Sequence, residues 1–181
     1  YIDVLILNYL LLAVYFIIFI TLKLEVTDKL MFSTVDSVTY WLTGHEFYDL
    51  SVSGYSEIRP FLYPLLIVLV GKTFGVYGLW IMQLIFWLAA INLVYLAIKK
   101  ISGSKILGFA GSSILALNIS YLILTLNALT EVTVNFLLSI LIYHIASNVK
   151  RVNTLYFFHG CLFLLVILSV IKPVFYIAVL A

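Results

Sequence analysis

From Ile2 to Leu22 the chain carries no charged side chain after Asp3, and the run is closed by Lys23 and Glu25. A helix needs about 20 consecutive apolar residues to cross a hydrocarbon core of about 30 Å. This stretch meets the requirement, and it is too long and lacks the small-residue site of a cleaved signal sequence. Four further apolar runs follow, so lipid is the expected solvent for most of the 181 residues, 65% of which are hydrophobic and 10% charged. A soluble domain carries about a quarter charged residues and has no means of hiding so much apolar surface. The chain opens at Tyr1 and stops at Ala181 within apolar sequence, and is expected to be a single transmembrane domain, residues 1–181, taken from a longer protein.

The runs read as follows. Glu25 to Pro60 holds Glu25, Asp28, Asp36, Glu46, Asp49 and Glu57, six of the eight acids, and belongs outside the hydrocarbon. Phe61 to Phe74 is apolar but short, contains Pro64 and ends in Gly71, Lys72 and Gly75, which suits an interfacial or re-entrant helix. Residues 25–75 thus form one extracytoplasmic loop and interfacial segment. Val76–Ile98, Ile106–Leu122, Val132–Ala146 and Leu155–Ile171 are read as the remaining spans, with Thr125–Glu131 as a polar interruption. The fold class is an all-α polytopic transmembrane bundle of about five spans, with a long extracytoplasmic loop carrying short interfacial helices. Short loops rich in Lys and Arg stay cytoplasmic. Five spans gather Lys99, Lys100, Lys105, Lys150 and Arg151 on that face and the acidic loop, Glu131 and Lys172 on the other.

A net charge of +2 without a continuous basic patch excludes nucleic acid as a partner. The single cysteine, Cys161, forms no intrachain disulfide. His45, His144 and His159 lack metal-ligand spacing, so no metal residue is assigned. Asn118-Ile119-Ser120 matches a glycosylation tripeptide but falls inside a span.

A connection as long as 25–60 points to function, since helix connections in bundles usually take about 2 to 8 residues. The order of a first helix, then the run DSVTYW from Asp36, then RPFLYPLL from Arg59, then a helix ending in Lys99-Lys100, resembles the N-terminal half of the GT-C membrane glycosyltransferases, which include the protein mannosyltransferase and aminoarabinose transferase branches. Thr130-Glu131 and Lys172-Pro173 look like further recurrent features of that superfamily. Many members carry two adjacent acids after the first helix; here Ser37 follows Asp36.

The resemblance implies transfer of a sugar from a polyprenyl-phosphate donor to an acceptor on the extracytoplasmic face. The expected setting is a bacterial or archaeal plasma membrane, or else the endoplasmic reticulum. Asp36 takes the catalytic position, as the base that accepts the acceptor hydroxyl proton. Arg59 and Lys172 lie on the side and at the depth suited to the donor phosphate. Tyr40, Tyr63 and Glu131 complete the substrate-binding set. Membrane lipid and the lipid-linked donor are the expected partners, the acceptor is unassigned, and a divalent metal is compatible with the family but not indicated by the residues.

Each residue also has a plainer reading. Asp36 suits a helix cap, Arg59 and Lys172 suit snorkelling anchors, and Glu131 suits a solvated turn. The rival functions are a transporter or channel component, and a non-catalytic membrane assembly subunit.

Overall fold

The computed structural model describes residues 2–51, 60–149 and 154–172, and every element among them is helical. The order is α1 (Ile2–Thr21), α2 (Asp28–Met31), α3 (Val35–Asp49), α4 (Leu62–Ser102), α5 (Lys105–Ala116), α6 (Ile119–Ile123) leading into a 3-10 turn (Leu124–Leu126), α7 (Thr130–Asn148) and α8 (Leu155–Ile171).

Helix α1 shows what solvent these helices meet. Its 20 residues extend about 30 Å. It buries only the stripe Leu7, Leu11 and Tyr15, while Leu5, Ile6, Tyr9, Leu10 and Ile17 stay exposed on the chain. A helix apolar on every face is a core helix or a membrane span, and α1 is not covered by protein. Three helices, α1, α4 and α7, are long and apolar enough to cross a membrane, and a fourth path exists if α5 and α6 are taken together. The chain is an integral membrane protein. Helix α8 coincides with the expected run Leu155–Ile171, but at 17 residues it falls short of the others.

Helix α4 departs most from a simple rod. Gly75 adopts φ 66° and ψ −166°, a region essentially restricted to glycine, and the helical path breaks there. The break falls between Phe74 and Val76, where the sequence separates the short apolar piece from the next run. Tyr63 and Gln83 lie 20 residues apart, yet their side chains are joined by a 3.0 Å hydrogen bond. A straight helix would separate them by about 30 Å, so the arms fold back on one another. The first arm, 62–74, covers about 20 Å and the second, 76–102, about 40 Å.

The connection expected over 25–60 is largely helical as far as Ser51. Thr34 caps α3, its hydroxyl accepting the Ser37 amide at 3.1 Å while Ser37 Oγ accepts the Thr34 amide at 3.2 Å. Helix α3 then lies directly on the first arm of α4. A Cβ at Gly44 would collide with the Pro64 carbonyl, and one at Gly71 would stand 2.5 Å from the Trp41 ring. Two glycines set this spacing.

The continuous span expected from Ile106 to Leu122 is instead broken, with α5 and the α6 segment meeting at 63°. The cause is Asn118, whose side-chain oxygen accepts the Tyr121 amide at 3.2 Å and starts a new helix. Residues 52–59, 150–153 and 173–181, which include the expected sites Arg59, Lys150, Arg151 and Pro173, lie outside the described residues.

Two apolar clusters hold the bundle together. One joins α1, the second arm of α4, α6 and α7 around Tyr15, Trp87, Tyr95 and Val132. The other joins α2, α3, the first arm of α4, α7 and α8 around Met31, Tyr40, Tyr63 and Leu168.

Candidate functional site

The second cluster surrounds a buried polar knot. Tyr63, completely buried, donates its hydroxyl to the Leu129 carbonyl at 2.7 Å. Gln83, also completely buried, directs Nε2 at the Tyr63 hydroxyl (3.0 Å) and at the carbonyls of Asn127 (3.2 Å) and Leu129 (3.4 Å). All three partners present acceptors to it, so the amide nitrogen must face them. The knot ties both arms of α4 to residues 127–129, the segment that leads into α7. Ser33 adds a bond from the other side, its hydroxyl donating to Asn127 Oδ1 at 2.7 Å, and Ala128 N donates to the Met31 carbonyl at 2.9 Å. The entrance to α3 is thereby fastened to the entrance of α7.

Tyr40, nearly buried on α3, meets Tyr63 edge to face at a centroid distance of 5.3 Å and 87°. Asp36 lies one turn before Tyr40, exposed in the first turn of α3. Thr34, not Asp36, is the capping residue. The Asp36 carboxylate sits in the first turn of α3, where the helix macrodipole favours negative charge.

On the far side of the knot, Glu131 in the first turn of α7 accepts from Lys172 Nζ at 3.1 Å. Lys172 terminates α8, its amide bonded to the Leu168 carbonyl at 2.8 Å. Both side chains are about 40% exposed, and Glu131 Oε2 is buried with no hydrogen-bond partner among the described residues. The ammonium assigned to a donor phosphate therefore already has an anionic neighbour, and the pair carries no net charge.

Of the six residues singled out by sequence, the fold brings Tyr40 and Tyr63 into contact and Glu131 and Lys172 into a pair, with Asp36 on the helix that packs against this group; Arg59 lies outside the described residues. Sequence reasoning missed Gln83, which organises the knot. The signal was a lone amide within the apolar run Val76–Ile98, a position where a polar side chain in a span seeks an interhelical partner.

A separate charged group lies at the C-terminal end of α3. Asp49 accepts from Lys72 Nζ at 2.9 Å and pairs with His45 Nδ1 at 3.2 Å, and Lys72 also stands 3.9 Å from the Tyr48 ring centre. The Lys72 ammonium, and then His45, hold the Asp49 carboxyl below its ordinary range.

The opposite end of the bundle carries a simpler arrangement. Asp3 accepts from both Lys99 and Lys105 at 3.0 Å, fastening the start of α1 to the end of α4 and the start of α5, and Lys100 stands 5.9 Å from the Tyr143 ring centre. No group of three or more His, Cys, Asp or Glu among the described residues is arranged to hold a metal ion. No family model, curated protein or solved structure matches this chain.

Proposed function

We propose that the chain belongs to a membrane glycosyltransferase that moves a sugar from a polyprenyl-phosphate donor to an acceptor on the extracytoplasmic face. The observation that carries this reading is the gathering of Tyr40, Tyr63, Glu131 and Lys172, drawn from four helices, at the bundle end opposite Lys99, Lys100 and Lys105. In this reading α1, the second arm of α4, the bent α5–α6 pair, α7 and α8 are five spans, and α3 with the first arm of α4 rests at the outer surface. Basic loops stay cytoplasmic, which sets the polar knot on the outer side.

The acceptor oxygen attacks the anomeric carbon, the bond from that carbon to the phosphate oxygen breaks, and polyprenyl phosphate leaves with the electron pair. Asp36 takes up the acceptor proton. Lys172 faces the leaving phosphate, exchanging its contact with Glu131 for the anion as charge develops there.

A second reading is favoured by one observation: the Glu131–Lys172 pair is already neutral. A non-catalytic assembly subunit would keep such a pair for structure alone.

Transfer from radiolabelled polyprenyl-phosphate sugars by the reconstituted full-length protein separates the two. Asp36→Asn is expected to lower turnover by about 10² or more while donor binding is retained. Lys172→Met is expected to weaken donor binding without changing helix content. Normal turnover in both variants, or no transfer by the unaltered protein with any donor of this class, ends the glycosyltransferase reading.

A further inference from the structure

Away from the polar knot, a cleft of about 420 Å³ opens between the end of α1 and the tip of the α4 hairpin. Three aromatic residues line it, Phe19, Tyr77 and Trp80, together with Glu25 and Thr27. The chain is folded over the end of α1 to form one wall. Lys23 takes a positive φ of 49°, and Leu24 N donates back to the Phe19 carbonyl at 3.0 Å, which turns residues 24–27 beside the Phe19 ring.

The polar capacity of this cleft is narrow. Trp80 spends its only donor inside the bundle, on the Tyr15 hydroxyl at 2.8 Å, so the cleft receives its ring and not its N–H. Thr27 Oγ1 already accepts the Leu30 amide at 3.2 Å as the cap of α2. Glu25 is exposed and has no hydrogen bond or ion pair among the described residues. Phe19 and Trp80 stand 6.1 Å apart at 43°, forming two walls, and Tyr77 is 62% exposed.

Aromatic rings beside one unpaired carboxylate select a particular chemistry. Ring faces carry negative quadrupole potential and attract an organic cation, most strongly a quaternary or alkylated ammonium. A sugar would lose water from several hydroxyls, and beside Glu25 only the Thr27 and Tyr77 hydroxyls and the backbone of residues 24–27 are there to replace it. An inorganic cation requires several oxygen ligands where this cleft offers few. A hydrocarbon chain leaves the carboxylate unused.

We infer that the cleft framed by Phe19, Tyr77, Trp80 and Glu25 binds an ammonium group, with the rings around its alkyl faces and Glu25 opposite its charge. The site stands at the end of α1, within reach of a lipid headgroup and of a soluble amine alike.

The test uses the full-length protein in nanodiscs of phosphatidylglycerol and a neutral glycolipid, titrated calorimetrically with choline and with its uncharged analogue 3,3-dimethylbutanol, empty discs serving as blanks. Choline is expected to bind at least about tenfold tighter than the analogue. Glu25→Gln and Tyr77→Leu are each expected to weaken choline about tenfold, whereas Tyr77→Phe, which keeps the ring, stays within about twofold. Circular dichroism checks that each variant keeps its helices. Equal affinity for the two probes, no choline binding, or full binding by Glu25→Gln overturns the proposal. Replacing the glycolipid by phosphatidylethanolamine at constant phosphatidylglycerol identifies the source: competition supports a lipid headgroup, and unchanged choline binding supports a soluble amine.

Discussion

The two ends of this bundle are fastened by different physics. At the basic end, Asp3 in the first turn of α1 pairs with Lys99 near the end of α4 and Lys105 at the start of α5, all partly open to solvent, and Gly103 ends α4 with φ 70° and open space around it. At the opposite end, a buried tyrosine and a buried glutamine share backbone carbonyls, and α3 lies against α4 without room for a methyl group at Gly44. Exposed ion pairs are screened and add little to stability. A buried polar group that loses its partner costs its full desolvation. The first end therefore tolerates change, and the second holds a defined geometry.

The sharpest way to break this contrast is one substitution made at both ends. Gly44→Ala forces its new methyl into the Pro64 carbonyl and the Val68 side chain, and neither backbone yields readily. A loss of about 3 kcal/mol in unfolding free energy is expected, with α3 detaching from the first arm. Gly103→Ala meets no atom within 4 Å and suffers only its positive φ, a cost of about 1 kcal/mol. Denaturant titration in mixed micelles measures both. Equal losses would mean that α3 is not tightly seated.

Removing polar groups gives the next largest difference. Gln83→Leu removes the donor shared by the Tyr63 hydroxyl and the Asn127 and Leu129 carbonyls, while Asn127 keeps its bond from Leu129 N at 2.8 Å and Leu129 its bond from Tyr63. A loss of about 1 kcal/mol is expected, insensitive to salt. Asp3→Asn should cost less and lose its effect as salt is raised, because its lysine partners are partly exposed. A salt-dependent Gln83→Leu would place that side chain in water.

How much of this was legible in the sequence follows from what hydropathy measures. It sees the length of an apolar run, and so Ile2–Leu22 nearly matches α1 and Leu155–Ile171 matches α8. It also shows a break where glycine interrupts the run, and Gly75 lies where the sequence divides. It is blind to direction after the break, so the fold-back that brings Tyr63 to Gln83 was not readable. A single polar residue barely changes a windowed average, and for that reason Asn118 escaped notice as a helix start and Gln83 as a tie. Glu131 and Lys172 were both picked out, but 41 residues separate them and only the packing of α7 on α8 makes them a pair.

The smallest effect concerns Asp49, which closes the contact between α3 and the first arm from its outer edge. Its carboxyl is drawn below the ordinary value first by Lys72 and then by His45. A group whose folded-state pKa is lowered contributes stability that is present above its unfolded value, about 3.9, and disappears as pH falls through the folded value. The contribution is thus constant from neutral pH down to about 4 and is lost only in stronger acid. Both partners are partly exposed, so salt weakens it. Lys72→Met removes the main cause of the shift. The variant is expected to be slightly less stable than the unaltered protein at pH 6, with the gap closing as the pH drops below the Asp49 titration. Unfolding titrations of the two proteins at low salt, at pH 6 and at strongly acid pH, measure this directly. A gap that persists unchanged in acid would assign the role of Lys72 to its packing on the Tyr48 ring, 3.9 Å away, and not to the carboxylate.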